Sequence, residues 1–261
     1  QEIIEELGLH LSLKDELNKC PICLFTPYPQ LYAIVRSVCN NKTFKSMSDI
    51  VVSRTAYRFT DLMHKDHPEA IGQLSEGHPY DVSTNIFERL PQVFFDDKPD
   101  DGNDYIRILG RMDNTRTMKF VRRDYIREVE NLDGYKVFMA KANGTGAFGE
   151  TLTPPIVGEP SVGNTETFIS IGEFYTLSEA MALKKYIATK FVRALLGALK
   201  TTQDITPEKW KFVPQQDFSE TSDIDWSRSV EEIDAFLYKK YKLTDAEICF
   251  INEKVQAMKD V

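Results

Sequence analysis

The spacing of apolar and polar positions changes character several times along this chain. From about Asn85, short apolar runs alternate with clusters of Gly, Asp and Pro. The run "NIFERLPQVFFDD" ends in the turn-forming "DDKPDDGND". "YIRILGRMD" sets Tyr105, Ile106, Ile108 and Leu109 among Arg107 and Arg111, which predicts a strand ending at Gly110. "RTMKFVRRDYI", "GYKVFMAKANG" and "NTETFISIGEF" predict three more. Short strands separated by turn residues imply a twisted, mainly antiparallel sheet.

The period then becomes helical. In "TLSEAMALKKYIATKFVRALLGALK", Ala180, Leu183, Ile187, Phe191, Leu195 and Leu199 form one stripe. Thr176 with Glu179 makes a capping box, so one long packed helix is expected. The tail "SVEEIDAFLYKKYKLTDAEICFINEKVQAM" predicts two amphipathic helices, the second capped by Thr244 with Glu247. The beginning reads as mostly helical: "IIEELG" stopped by Gly8, then a segment broken by Pro21, Pro27 and Pro29, then "LYAIVRSVC". The spacing in 48–74 is mixed, and helix is expected there too. The fold class is therefore α+β. It divides into a helical segment 1–84, a sheet-and-helix unit 85–215 and a helical tail 216–261.

A length of 261 residues allows one large domain or two small ones, and 42% hydrophobic content suffices for a sizeable core. No apolar run approaches the roughly 18–20 residues that span a bilayer. No basic-then-apolar leader is present, and a cytoplasmic location is expected. The chain opens at Gln1 rather than Met, which suggests a piece of a longer protein. Cys20 and Cys23 form C-P-I-C, but zinc needs four ligands and no second pair accompanies them. No metal site is expected. Asp96-Asp97-Lys98 with Pro99-Asp100 has the order of a nuclease signature reversed.

A net charge of −8 speaks against nucleic acid, yet the charge is uneven. Residues 101–141 hold nine basic to seven acidic side chains, 181–215 seven to two, and 216–261 six to eleven. The tail carries the negative excess, so a basic face remains available.

"GTGAFG", with Gly144, Gly146 and Gly149, has the spacing of a dinucleotide-binding fingerprint. That motif requires a helix directly after its last glycine. Here "ETLTPPIVGEP" follows, and its prolines forbid one. "TPPI", Thr153 to Ile156, lacks the Asn or Asp and the aromatic that flank Pro-Pro in base-flipping amino-methyltransferases. What remains is a strand bringing Lys136 and Lys141 to a glycine-rich loop with Asn143 and Thr145, which on composition alone reads more readily as an ordinary surface loop than as a DNA contact.

Several blocks in order, among them "SRTAYRFTDLMH", "YDVSTNIFERLPQVFFD", "YIRILGRMDNTR", "YKVFMAKANGTGAFGE", "GNTETFISIG", "KYIATKFVRALLGALKTTQD" and "LYKKYKLTDAEICFIN", resemble the C-terminal half of fused, type IIG-like restriction-modification adenine methylases. The resemblance runs from about Lys45 onward. It implies a DNA target-recognition region, partnered by double-stranded DNA and by an upstream methyltransferase domain of the same chain. The cofactor loop and catalytic motif of that family lie upstream and are absent here. The fragment would itself bind no cofactor and carry no catalytic residue. The parent would use S-adenosylmethionine, and magnesium if it also cuts. Candidate DNA contacts are Arg111, Arg116, Lys119, Arg122, Arg123, Lys141, Asn143 and Gln203. Arg122 and Arg123, adjacent on a strand, would face opposite ways. A catalytic nuclease with a divalent cation in "DDKPDDGND" and a protein-binding scaffold using the acidic tail helices are the competing readings.

Overall fold

A computed structural model describes residues 26–258. The helix expected at "IIEELG", together with Cys20 and Cys23, lies outside the described residues. The fold is α+β, as the patterning predicts, with two small sheets where one was expected.

The first sheet grows from a hairpin. Strands β2 (Tyr105–Met112) and β3 (Thr115–Arg122) pair over their whole length. Asp113 and Asn114 make the two-residue turn at φ 51° and 59°. Asp and Asn tolerate this left-handed conformation, whose twist matches that of the flanking strands. The strand β6 (Val162–Asn164) joins the other edge of β2 in parallel. Gly110 in β2 lets the Phe87 ring lie against the backbone, since a Cβ there would sit 2.5 Å from the ring.

The second sheet is antiparallel throughout, in the order β1 (Val51–Val52), β7 (Phe168–Phe174), β4 (Tyr135–Ala140), β5 (Ile156–Gly158). Gly172, at φ 80°, is the extra residue of a bulge that shifts the β4–β7 register between Tyr135 and Val137. Period-2 alternation sends Val137, Met139, Ile169 and Ile171 into the helical core, while Phe138 and Phe168 meet Leu109 and Val162 between the sheets.

Among the described residues before β2, the chain is less helical than expected. Helix α1 (Pro29–Cys39) forms, but 48–74 supplies a 3₁₀ turn at Met47–Ile50 and the short α2 (Asp61–Asp66) and α3 (Ala70–Gln73), and Val51–Val52 is a strand. One more short helix, α4 (Ile86–Arg89), precedes the hairpin. Tyr57, Phe59, Phe87 and Phe94 from this region cover Ile106, Ile108 and Val121 of the first sheet. Buried Asn131 ties the two sheets' surroundings together: it accepts from the Tyr57 hydroxyl at 2.9 Å and donates to Ser170 at 3.0 Å.

The expected single long helix is two. Helix α5 (Leu177–Ala188) has the predicted Thr176–Glu179 capping box. It stops at Thr189, whose extended backbone (φ −60°, ψ 147°) starts α6 (Lys190–Gly197). The Thr189 hydroxyl donates to Tyr186 O and accepts from Val192 N. The Asp234 carboxylate accepts from Lys190 N and Phe191 N, both at 2.8 Å. A cap supplied from a distant helix thus overrides a continuous apolar stripe. The tail gives both predicted helices, α7 (Val230–Lys240) and α8 (Asp245–Lys254), each with a capping box. No described helix is long and apolar enough to cross a membrane.

Candidate nucleic-acid interface

The end of the β2–β3 hairpin carries the most open positive charge among the proposed contacts. Arg111 and Arg116 are register partners, so their side chains share one face. Both are exposed. Arg111 donates to the backbone oxygen and side-chain amide oxygen of Asn114 at 3.1 and 3.3 Å. Arg116 donates to Pro154 O at 3.2 Å. All three bonds go to neutral oxygens. Partial burial, then the charge of Arg111, lowers the pKa of Arg116.

The Pro154 contact joins the hairpin to a polar ridge. Thr153 N donates to Asn143 Oδ1 at 2.7 Å, and Asn143 N donates to Gln203 O at 2.8 Å. Thr145, Thr151, Thr153, Thr201, Thr202 and Gln203 are exposed along it. Gly146, at φ 97°, allows the 201–203 turn to close in, since a Cβ there would meet the Thr202 backbone at 2.8 Å.

The other proposed contacts are otherwise engaged. Lys119 is buried and paired with Asp96 at 2.7 Å. Arg122 pairs with Asp124 and Asp66 and lies over the Tyr125 ring. Arg123 pairs with Asp133 and Glu128, and the bonds to Asp133 foremost raise its pKa. Arg122 ends β3 while Arg123 opens a 3₁₀ turn, so strand alternation does not govern them. Lys141 pairs with Asp204 at 3.1 Å but stays partly exposed. Asn143 is only 2% exposed; its amide donates to Ala140 O at 2.8 Å, so it braces the loop rather than facing outward. Arg111, Arg116 and Gln203 therefore keep open faces, with Lys141 beside them.

Lys136, grouped with Lys141 by sequence, is fully buried. Its ammonium donates to Leu132 O, Glu159 O and Val162 O at 2.7, 3.3 and 2.9 Å. Burial pushes its pKa down to about 8 against the pull of Asp133 and Glu173.

The glycine loop holds a carboxylate of its own chain. Glu150 accepts from Thr145 N at 2.7 Å, Gly146 N at 2.8 Å, the Thr145 hydroxyl at 3.0 Å and buried Lys200 at 2.5 Å. Burial would raise the Glu150 pKa, but Lys200 and the loop amides outweigh it and bring it down to about 2. Gly149 presses on α8, where a Cβ would meet Lys254 O at 1.9 Å, and Phe148 stacks on Phe250. The loop is thus a pinned brace for the ridge.

In "DDKPDDGND", the Asp101 carboxylate accepts from Asn103 and from the Tyr105 hydroxyl and closes a turn. Among the described residues no group of three His, Cys, Asp or Glu side chains is placed to hold a metal. Sequence reasoning missed Asn114, which positions Arg111. The signal was "MDNT", an Asp-Asn pair between alternating runs.

No protein-family model and no curated protein matches the sequence. Among solved structures, the chain is similar to the type IIG restriction endonuclease BpuSI, at 11% identity and a TM-score of 0.41. The likeness covers 87% of this chain and 32% of that one, values too low to assign a shared fold. The chain thus spans about a third of that enzyme's length.

Proposed function

We propose that this chain is the DNA target-recognition region of a restriction-modification protein of the type IIG kind, working in the cytoplasm. The hairpin end and the 142–154 ridge grip duplex DNA and hold it for adenine methylation, or cleavage, by domains upstream in the same chain. Arg111 and Arg116 take phosphate, and Gln203 and the ridge threonines reach toward base edges. The parent's chemistry draws on S-adenosylmethionine bound upstream, with magnesium where it also cuts. The observation that carries this reading is the Arg111–Arg116 pair, two like charges opposed on an exposed hairpin with only neutral oxygens as partners. Such a pair is unfavourable alone and favourable around an anion. The blocks of sequence that resemble methylase recognition regions support the same conclusion.

The test is fluorescence anisotropy of the chain with random-sequence duplex DNA across a salt series. Binding that weakens steeply with salt is expected, since displaced counterions accompany phosphate contacts. Binding indifferent to salt, or none at the lowest salt, contradicts the reading.

A further inference from the structure

The apex of the β2–β3 hairpin carries one charge that a phosphate grip does not use. Met112 and Thr115 are the last register pair, so Asp113 and Asn114 alone form the tip. Both are exposed. The Asp113 carbonyl accepts from the Thr115 hydroxyl at 3.4 Å, but among the described residues its carboxylate has no hydrogen-bond or ion-pair partner. Arg111 bonds instead to the backbone and amide oxygens of Asn114, and Arg116 to Pro154 O. Two guanidiniums therefore stand on either side of an idle carboxylate in the chain, and neither neutralises it.

The turn does not require that charge. A two-residue hairpin turn needs both residues at positive φ, which Asn adopts as readily as Asp. On a surface that only gripped phosphate, an acid at the tip would repel the backbone that the arginines attract. Duplex DNA offers a carboxylate one kind of favourable contact, a hydrogen bond from a base amino group. In the major groove these are cytosine N4 and adenine N6. Adenine sets the acceptor N7 beside its amino group, guanine shows N7 and O6, and thymine shows O4. Cytosine alone presents its donor without an acceptor of its own beside it. The major groove, about 12 Å wide, also admits a two-stranded β ribbon.

Resting on the DNA-recognition reading above, we propose that Asp113 is a specificity-determining residue. Its carboxylate accepts from the N4 amino group of one cytosine in the major groove, while Arg111 and Arg116 hold the phosphates alongside. Discrimination comes as much from the bases the carboxylate repels as from the one it binds.

The experiment selects binders from random-sequence duplexes with the chain and, in parallel, with Asp113→Asn, which keeps the turn chemistry and removes the charge. Affinities are then measured for the selected duplex, with and without N4-methylcytosine in place of the cytosine. That base keeps its pairing hydrogen and loses the one facing the groove. The chain is expected to prefer a cytosine–guanine pair at one position by about fivefold or more, and to lose that margin on N4-methylcytosine. With Asp113→Asn the preference passes to adenine–thymine at that position alone, because a carboxamide matches adenine N6 and N7. The proposal is overturned if the variant selects the same base pairs as the chain, or if N4-methylcytosine binds as cytosine does. Salt-sensitive binding without any base preference overturns it and leaves the phosphate grip standing. No binding at the lowest salt overturns the DNA-recognition reading and the role of Asp113 with it.

Discussion

Arg111 and Arg116 stand directly opposite each other in the β2–β3 register, and the hydrogen bonds of both go to neutral oxygens. Like charges in that position repel. A sulfate or phosphate between them reverses the sign of the interaction. Added sulfate should therefore raise the thermal midpoint of the chain more than it raises that of Arg116→Gln. Chloride at equal ionic strength is the control. Equal gains would mean that the pair is only a surface feature.

Asp234 links stability to pH in one direction. Burial raises its pKa to about 6, against the pull of the Phe191 and Lys190 amides and the charge of Arg193. Its ordinary value is 3.8, so between about 4 and 6 the folded chain binds the proton more tightly than the unfolded chain. This group's contribution falls as pH rises through that window. Asp234→Asn should flatten the fall, measured by denaturation midpoints at closely spaced pH values. An unchanged pH profile would show that the carboxylate is not buried at the α6 terminus.

Glu150 acts in the opposite sense and in a lower window. Its pKa, brought from 4.5 to about 2, makes its stabilisation complete above about 4.5 and lost as pH falls toward 2. Glu150→Gln strands the ammonium of Lys200, which is 4% exposed, and is expected to cost about 3 kcal/mol at neutral pH. The variant should also lose its acid sensitivity in that window. A variant as stable as the parent chain would contradict the brace assigned to the glycine loop.

Asn143 separates a bracing role from base reading. Asn143→Ala removes a buried acceptor for Thr153 N and a donor to Ala140 O, and should cost about 2 kcal/mol. Its DNA binding should keep the salt dependence of the parent chain. Lost affinity with an unchanged midpoint would instead make Asn143 a direct contact.

Local signals read true in the sequence, and distant partners did not. Thr176 with Glu179 and Thr244 with Glu247 lie three residues apart, so their capping boxes are visible in the one-dimensional pattern. The strand at Tyr105–Met112 is visible for the same reason, because alternation needs no partner. The break at Thr189 depends on Asp234, which arrives from another helix, and the apolar stripe runs through it without a sign. Lys136 looks like any surface lysine until the carbonyls of Leu132, Glu159 and Val162 surround it. Among the arginines, sequence gives charge but not company. Arg122 and Arg123 are met by near neighbours, Asp124 and Glu128, and also by Asp66 and Asp133, which only the fold brings against them. Arg111 and Arg116 are left open because their neighbours are a turn asparagine and a proline carbonyl.

The central claim rests on which arginines face the ligand, and one comparison of affinities tests it. Duplex-DNA affinity is measured at low salt for Arg111→Ala/Arg116→Ala and for Arg122→Ala/Arg123→Ala. The first double variant should bind at least tenfold more weakly, with a smaller salt slope and an unchanged fold. The second should lose stability through its broken ion-pair networks while binding DNA within about twofold of the parent chain, a difference small beside the loss of a phosphate contact. The reverse pattern, with affinity lost only in the second variant, would contradict the interface placed at the hairpin end.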